Sequence, residues 1–336
     1  MSPPFVSIPD DFAAWVVQRE GEAGRDWLEH LPALIETLCA EWNLILDEGK
    51  LLHGGLGIVV PVRRGDEPAM LKIGWLDEST AHEAQALAAW NGRGAVQLLA
   101  AQPEQGALLL ERLDSTRPLA TAEPDEALAV AGRLLRRLAI EVGDDPSPSP
   151  PPPRGEGAQV AAAQRPFPLS PWGRGRGGGV IPHLKDVAER LTRTIPERWE
   201  RLGRPLPKHA VEQAVEIAGQ LGGAAGNLLA NYDLHYDNIL AARREPWLAI
   251  DPKVVVGDPE FALAQLVWRR LADSRHPVGL QRTFDALVYH AELDPLRARR
   301  WTLVRCVDYW LWGLSVGLTE DPVRCQAIIG VVGVGC

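Results

Sequence analysis

The sequence predicts an α+β chain of two lobes, a small antiparallel-sheet N-lobe followed by a mainly helical C-lobe. Three observations lead there. The length, 336 residues, exceeds what one hydrophobic core organises, since single cores stop growing at roughly 250–300 residues. Short β-branched or apolar runs separated by turn residues crowd residues 57–110. Beyond about Thr116 the apolar residues recur at helical spacing, except around residues 231–258. The expected boundaries are 1–112 for the N-lobe and 113–336 for the C-lobe.

Each element has its own signal. Trp27, Leu28, Leu31, Leu34, Ile35 and Leu38 form one face of a leading helix. Residues 57–62 and 69–73 read as strands, separated by the turn cluster Arg-Arg-Gly-Asp-Glu-Pro. A helix is expected over 80–90, with Ser79 or Thr80 as its N-cap and Glu83 in its first turn. Two more strands follow at 96–99 and 107–110. In the C-lobe, Leu128, Ala131, Leu134, Leu135 and Leu138 mark a helix over 125–142. Leu184, Val187, Leu191 and Ile195 mark another. Between those two helices, residues 144–179 contain 16 Pro and Gly in 36 positions. So few apolar groups cannot offset ordering entropy, which predicts a disordered insertion in a helix–helix connection.

Composition narrows the function. Hydrophobic residues make up 46% of the chain and the formal charge is −9. That charge argues against general nucleic-acid binding, which needs a basic face. It suits a small cationic partner, although acidity for solubility alone is the plainer alternative. The arginines among the glycines of 173–179 offer an RNA-binding alternative, against the simpler reading of an exposed loop. No apolar stretch approaches the roughly 20 residues of a membrane helix, and the N-terminus lacks the pattern of a signal peptide. Cys39, Cys306, Cys325 and Cys336 are scattered, none at metal-ligand spacing. They read as reduced thiols of a cytoplasmic protein. No obligate protein partner is evident.

The chemistry-bearing residues concentrate in 231–253. Asp233 lies five residues before Asn238, the spacing of a kinase catalytic loop. There the Asp orients the acceptor hydroxyl and receives its proton, and the Asn reaches a magnesium ion. Ile239-Leu240, a turn at 242–246 and the apolar run 247–250 then form a hairpin that delivers Asp251, a second carboxylate for the metal. The plainer alternative makes all three turn and cap residues. Upstream, Lys72 closes Ala-Met-Leu-Lys, a match to the kinase strand pattern V-A-I-K, and Glu83 follows eleven residues on. Such a pair fixes an ammonium against the α- and β-phosphates of ATP. The alternatives are a snorkelling surface lysine and a helix N-terminal acid. Gly54, Gly55 and Gly57 form a glycine-rich turn one strand before Lys72, where backbone N–H groups can approach phosphate closely. Glu111, Arg112 and Leu113 occupy the place of an adenine-binding hinge, or of an ordinary strand end.

These stretches, with Glu83-Ala-Gln-Ala-Leu87, residues 90–96, Ala107-Leu-Leu-Leu-Glu-Arg-Leu113 and Gly257-Asp258-Pro259, resemble the aminoglycoside phosphotransferase superfamily. The resemblance is closer to its streptomycin 6-phosphotransferase and hydroxyurea-resistance kinase branch. It covers about residues 5–143 and 181–330. It implies a bilobal protein-kinase-like fold and transfer of the γ-phosphate of ATP to a hydroxyl, with Mg2+ as cofactor. Asp233 would be the catalytic base, with Asn238 and Asp251 on metal. The acceptor it implies is an aminoglycoside-type antibiotic, streptomycin foremost. Hydroxyurea, a metabolite, or a nucleotide-binding pseudoenzyme stand as alternatives. Asn231-Tyr232 occupies the position where many members carry a His two residues before the catalytic Asp. The Pro/Gly segment and the tail 331–336 are unlike the family. His235 is expected to brace the loop or shuttle protons, and Asp258 to brace it, with contact to substrate as the alternative. The aromatics Trp301, Tyr309 and Trp312 are expected in the core, or with Asp308 on a substrate wall.

Overall fold

The computed structural model describes residues 7–48, 50–77, 80–142, 180–269 and 277–333. The Pro/Gly segment 144–179, Glu78, Ser79 and Cys336 lie outside them. The chain forms two compact units and passes from the first to the second between Arg112 and Leu113. Residues 92–95 also belong to the second.

The first unit begins with α1 (Asp10–Glu41), broken at Gly21, whose φ of 66° interrupts the helix. Then come β1 (Leu44–Leu46), β2 (Leu52–His53), β3 (Gly57–Arg64), β4 (Glu67–Gly74), α2 (Glu83–Trp90), β5 (Leu98–Gln102) and β6 (Ala107–Glu111). The strands form one antiparallel sheet in the order β1-β3-β4-β6-β5, with β2 on the edge of β3. Period-2 alternation buries Ala69, Leu71 and Ile73 of β4 against Leu31, Ile35 and Leu38 of α1. Each of the leucine and isoleucine side chains contributes about 1.5–3 kcal/mol. The same alternation turns Lys72 to the opposite face. The β3–β4 turn is only Gly65-Asp66, so both strands run into the expected turn cluster. β5 starts at Leu98 rather than residue 96. α2 starts at Glu83 rather than Thr80. The Thr80 amide and hydroxyl are engaged by Asp77 and the Trp75 carbonyl, at 3.0 and 2.8 Å. This local turn competes with the helix's first turn.

The second unit holds β7 (Asp114–Pro118), α3 (Pro124–Leu138), β8 (Ile140–Glu141), α4 (Leu184–Arg201) and α5 (Lys208–Gly222). It continues with β9 (Leu228–Asn231), β10 (Ile239–Ala241), β11 (Trp247–Ala249) and β12 (Val254–Gly257). Helices α6 (Leu263–Arg269), α7 (Pro277–His290), α8 (Pro295–Ser315) and α9 (Glu320–Val332) complete it. Two small antiparallel sheets, β11-β10-β7 and β12-β9-β8, carry the loops of interest among the helices. α3 ends at Leu138, short of the expected 142, because Ile140 and Glu141 pair with Leu229 and Leu228 instead. Trp301 is buried in the core, edge-on to Phe261 at 5.3 Å. Trp312 departs from the expected core position, at 41% exposed, and stacks on Tyr309. Burial and the neighbouring Asp321 push the Tyr309 hydroxyl up to about 12.

Candidate active site

In the first unit, β4 presents Lys72 to Glu83, the first residue of α2. The Lys72 Nζ lies 2.7 and 2.6 Å from the two Glu83 oxygens. Both side chains are largely buried, at 13% and 7% exposed. The glycine turn sits directly beside this lysine. The Gly54 amide donates to the Gly57 carbonyl at 2.9 Å, closing the turn. A Cβ on Gly57 would stand 3.8 Å from Lys72 Cε, whereas Gly54 and Gly55 face open space. Without side chains at Gly54 and Gly55 a phosphate could approach the backbone of this turn closely, next to a lysine, a combination suited to phosphate oxygens. At the expected hinge, the Glu111 carboxylate accepts the Gln97 amide at 2.8 Å. The Arg112 guanidinium turns back onto the sheet. It donates to Asp47 at 2.8 Å and to the Val62 and Ala69 carbonyls at 2.7 and 3.1 Å. The arginine side chain thus ties β3 to β4.

In the second unit, the pairing of β12 with β9 sets the loop that carries Asp233. Val254 opposes Asn231, and the Tyr232 amide donates to the Lys253 carbonyl at 2.9 Å. The Asn231 side chain, buried, accepts the Asp233 amide at 3.2 Å. A local brace therefore exists where the family often has His. The Asp233 carboxylate is held at both oxygens. Gln265 of α6 donates to Oδ1 at 2.6 Å, and the Lys253 ammonium lies 3.0 Å from Oδ2. Burial pulls the Lys253 ammonium down, but Asp233 and then Asp251 outweigh it and hold it above the ordinary lysine value.

The β10–β11 hairpin brings Asn238 and Asp251 together. Ile239 pairs with Ala249, and one step further out the Ile250 amide donates to the Asn238 carbonyl at 2.8 Å. Asp251 follows with φ of 50°, a left-handed conformation that costs a non-glycine residue roughly 1–2 kcal/mol. Such an outlier persists only where its surroundings enforce it, and Asp tolerates it better than most residues. An amide oxygen and a carboxylate are hard donors of the kind magnesium prefers. Magnesium is usually held by one or two carboxylates together with substrate phosphates and water. Among the described residues no group of three or more His, Cys, Asp or Glu could hold a metal by itself. The donor set of Asn238 and Asp251 fits a magnesium–nucleotide complex.

His235 does not brace this loop through its ring. Its buried Nδ1 lies 3.6 Å from Asp237 Oδ2, beyond hydrogen-bond distance, while its carbonyl accepts the Asn238 amide at 2.9 Å. Burial, then the positive Arg269, keep the imidazole below the ordinary value and so neutral near pH 7. Asp258 ties the β9–β12 pair to α8. It accepts the Gly226 amide at 2.9 Å, Arg297 Nε at 2.7 Å and Trp301 Nε1 at 2.7 Å. Asp308 is engaged by Arg198 at 2.8 Å. The sequence pattern did not mark Gln265, Lys253 or Arg305 as site residues. Gln265 is the one polar residue between Phe261 and Trp268, which is a usable signal in an otherwise apolar run. Arg305 stands over the rings of Tyr232, Phe261 and Trp268 at 5.3, 4.7 and 5.7 Å and donates to the Tyr232 carbonyl.

Comparison with known proteins fits this arrangement. The family model described as aminoglycoside/hydroxyurea antibiotic resistance kinase matches residues 42–165 and 177–317. The chain belongs to this kinase family. It is 35% identical over 322 residues to a streptomycin 6-kinase of Streptomyces griseus, covering 94% of this chain and 93% of that protein. It is 33% identical over 332 residues to a hydroxyurea phosphotransferase of Kitasatospora aureofaciens, covering 97% and 86%. Its fold is similar to that of a thermostable aminoglycoside phosphotransferase in ternary complex with AMP-PNP and hygromycin B. The TM-score is 0.55 at 14% identity, over 90% of this chain and 99% of that one. The kinase family member is accordingly a phosphotransferase with an α+β, protein-kinase-like fold. No helix among its described residues is long and apolar enough to cross a membrane.

Proposed function

We propose that this kinase transfers the γ-phosphate of ATP to a hydroxyl of streptomycin, the 6-hydroxyl, with magnesium as its cofactor. One observation carries the reading. The Asp233 carboxylate is fixed at both oxygens beside the Asn238–Asp251 corner, in a chain 35% identical to a streptomycin 6-kinase along most of its length. Asp233 accepts a hydrogen bond from the acceptor hydroxyl, aligns its lone pair with phosphorus and takes up the proton as the new O–P bond forms. The bond from phosphorus to the β-phosphate oxygen breaks, and ADP leaves. Lys72, held by Glu83, binds the α- and β-phosphates, while the backbone of the Gly54–Gly57 turn lies against them. Asn238 and Asp251 would hold magnesium, which supplies charge neutralisation for the phosphates when bound. We read residues 1–112 as the nucleotide-binding lobe, with adenine on the backbone around Leu113, and residues 113–336 as the lobe of the catalytic loop. The chain's charge of −9 favours approach of a polycationic acceptor.

Magnesium-dependent ADP release tests this, measured with streptomycin, a second aminoglycoside and hydroxyurea beside an Asp233→Ala control. Turnover with streptomycin that the substitution lowers by about 10²–10⁴-fold is the expected result. Turnover with hydroxyurea alone would move the acceptor to the second class named by the family's relatives and keep the phosphoryl chemistry. Nucleotide binding with no turnover on any acceptor would contradict the reading.

A further inference from the structure

Lys253 has no place in the machinery read from the sequence, yet it makes one of the closest charged contacts of the site. Its ammonium lies 3.0 Å from Asp233 Oδ2. An ammonium has three donors, and among the described residues Asp233 is its one side-chain hydrogen-bond partner. The side chain is 34% exposed, so it is not sealed in the core. Its backbone is fixed by the Tyr232 amide, and it follows the left-handed Asp251 and Pro252. The carboxylate it contacts has about four acceptor positions. Gln265 and Lys253 use one on each oxygen, which leaves one on each for an acceptor hydroxyl. A hydroxyl donating to Oδ2 would lie no more than about 6 Å from the ammonium. That is the region the transferring phosphoryl group must enter.

We propose that Lys253 is a catalytic residue whose ammonium contacts the phosphoryl group in transfer while Asp233 holds the hydroxyl. The proposal rests on the kinase reading above but not on the identity of the acceptor. During transfer, negative charge spreads over the three equatorial oxygens. A cation already fixed beside the nucleophile stabilises that charge without reorganising. Lys253 keeps its proton throughout. The hydroxyl proton goes to Asp233, the O–P bond forms, and the bond to the ADP oxygen breaks. Gln265 holds Asp233 from the other side, so the carboxylate does not swing after the lysine when the ammonium turns to phosphate.

Lys253→Met and Lys253→Arg in the full chain test the proposal with two readouts. In calorimetry, Lys253→Met should bind a non-hydrolysable ATP analogue about tenfold more weakly than the parent while binding ADP equally well. In steady-state turnover, its kcat should fall about 10²-fold with KM for streptomycin within about threefold. Lys253→Arg, which keeps the cation, should recover most of both. Equal weakening of the analogue and ADP would make Lys253 a structural brace and overturn the proposal. A kcat within about threefold of the parent would do the same. If the parent does not turn over streptomycin, the acceptor assignment fails and the calorimetric comparison still decides Lys253. If Lys253→Met does not fold, Lys253→Gln enters the same comparison.

Discussion

Lys72 and Glu83 are buried together with the ammonium within 2.7 Å of both carboxylate oxygens. Taking away one member of such a pair leaves a charge desolvated, which costs more than the pair contributes. Lys72→Met should therefore lower unfolding stability by about 3 kcal/mol in a denaturant titration. Adding Glu83→Leu should return most of it without returning activity. Glu260 offers a second test at this scale. Burial raises its carboxyl above the ordinary glutamate value, although it accepts the Asp294 amide at 3.2 Å. The folded chain keeps this proton to higher pH than the unfolded chain does. The group's contribution is thus complete below the unfolded value and lost as pH rises through the folded one. Glu260→Gln keeps the acceptor and has no proton to lose. Its melting temperature relative to the parent should climb as pH rises through the ordinary glutamate value and above it. A constant difference across that range would contradict the assignment.

Gly106 shows how the sheet that carries Lys72 depends on single backbone positions. It closes the connection from β5 to β6 with φ of 66°, and its carbonyl accepts the Gly74 amide at 3.0 Å. A Cβ there would sit inside van der Waals distance of the Gly74 carbonyl oxygen. Gly106→Ala should cost at least about 1–2 kcal/mol from the left-handed conformation alone. It should also raise KM for ATP, because Gly74 ends the strand that holds Lys72. Unchanged stability and KM would show that the sheet end tolerates the shift. The β10–β11 hairpin was legible in the sequence, because apolar Ile239-Leu240 and Trp247–Ile250 flank a polar turn. Strand β7 was not legible. Its residues, Asp-Ser-Thr-Arg-Pro, are exposed except for the half-buried Pro118, and it is a strand because β10 pairs with it. β8 was hidden in the same way, since only β9 makes Ile140-Glu141 extended. The spacing of Asp233, Asn238 and Asp251 was visible because loop chemistry is local. Gln265 reaches Asp233 from a helix 32 residues away, and no local pattern encodes such a contact.

The whole molecule is expected to report its nucleotide through its stability. A ligand that binds only the folded chain adds about 2.7 kcal/mol at a hundred times its Kd. Magnesium–ATP should raise the melting temperature of the parent accordingly. Asp251→Ala should lose the magnesium-dependent part of that rise and keep the part due to nucleotide alone. Equal shifts in both proteins would remove Asp251 from the metal. The central claim concerns what leaves the enzyme, and phosphorus NMR of the product tests it most directly. Streptomycin incubated with ATP, magnesium and the full chain should yield one phosphate monoester, coupled to the proton at the 6-position of the streptomycin ring system. The same mixture with Asp233→Asn should yield none on that timescale. An ester at another hydroxyl would contradict the assigned regiochemistry. A monoester formed equally well by Asp233→Asn would contradict the role given to this carboxylate.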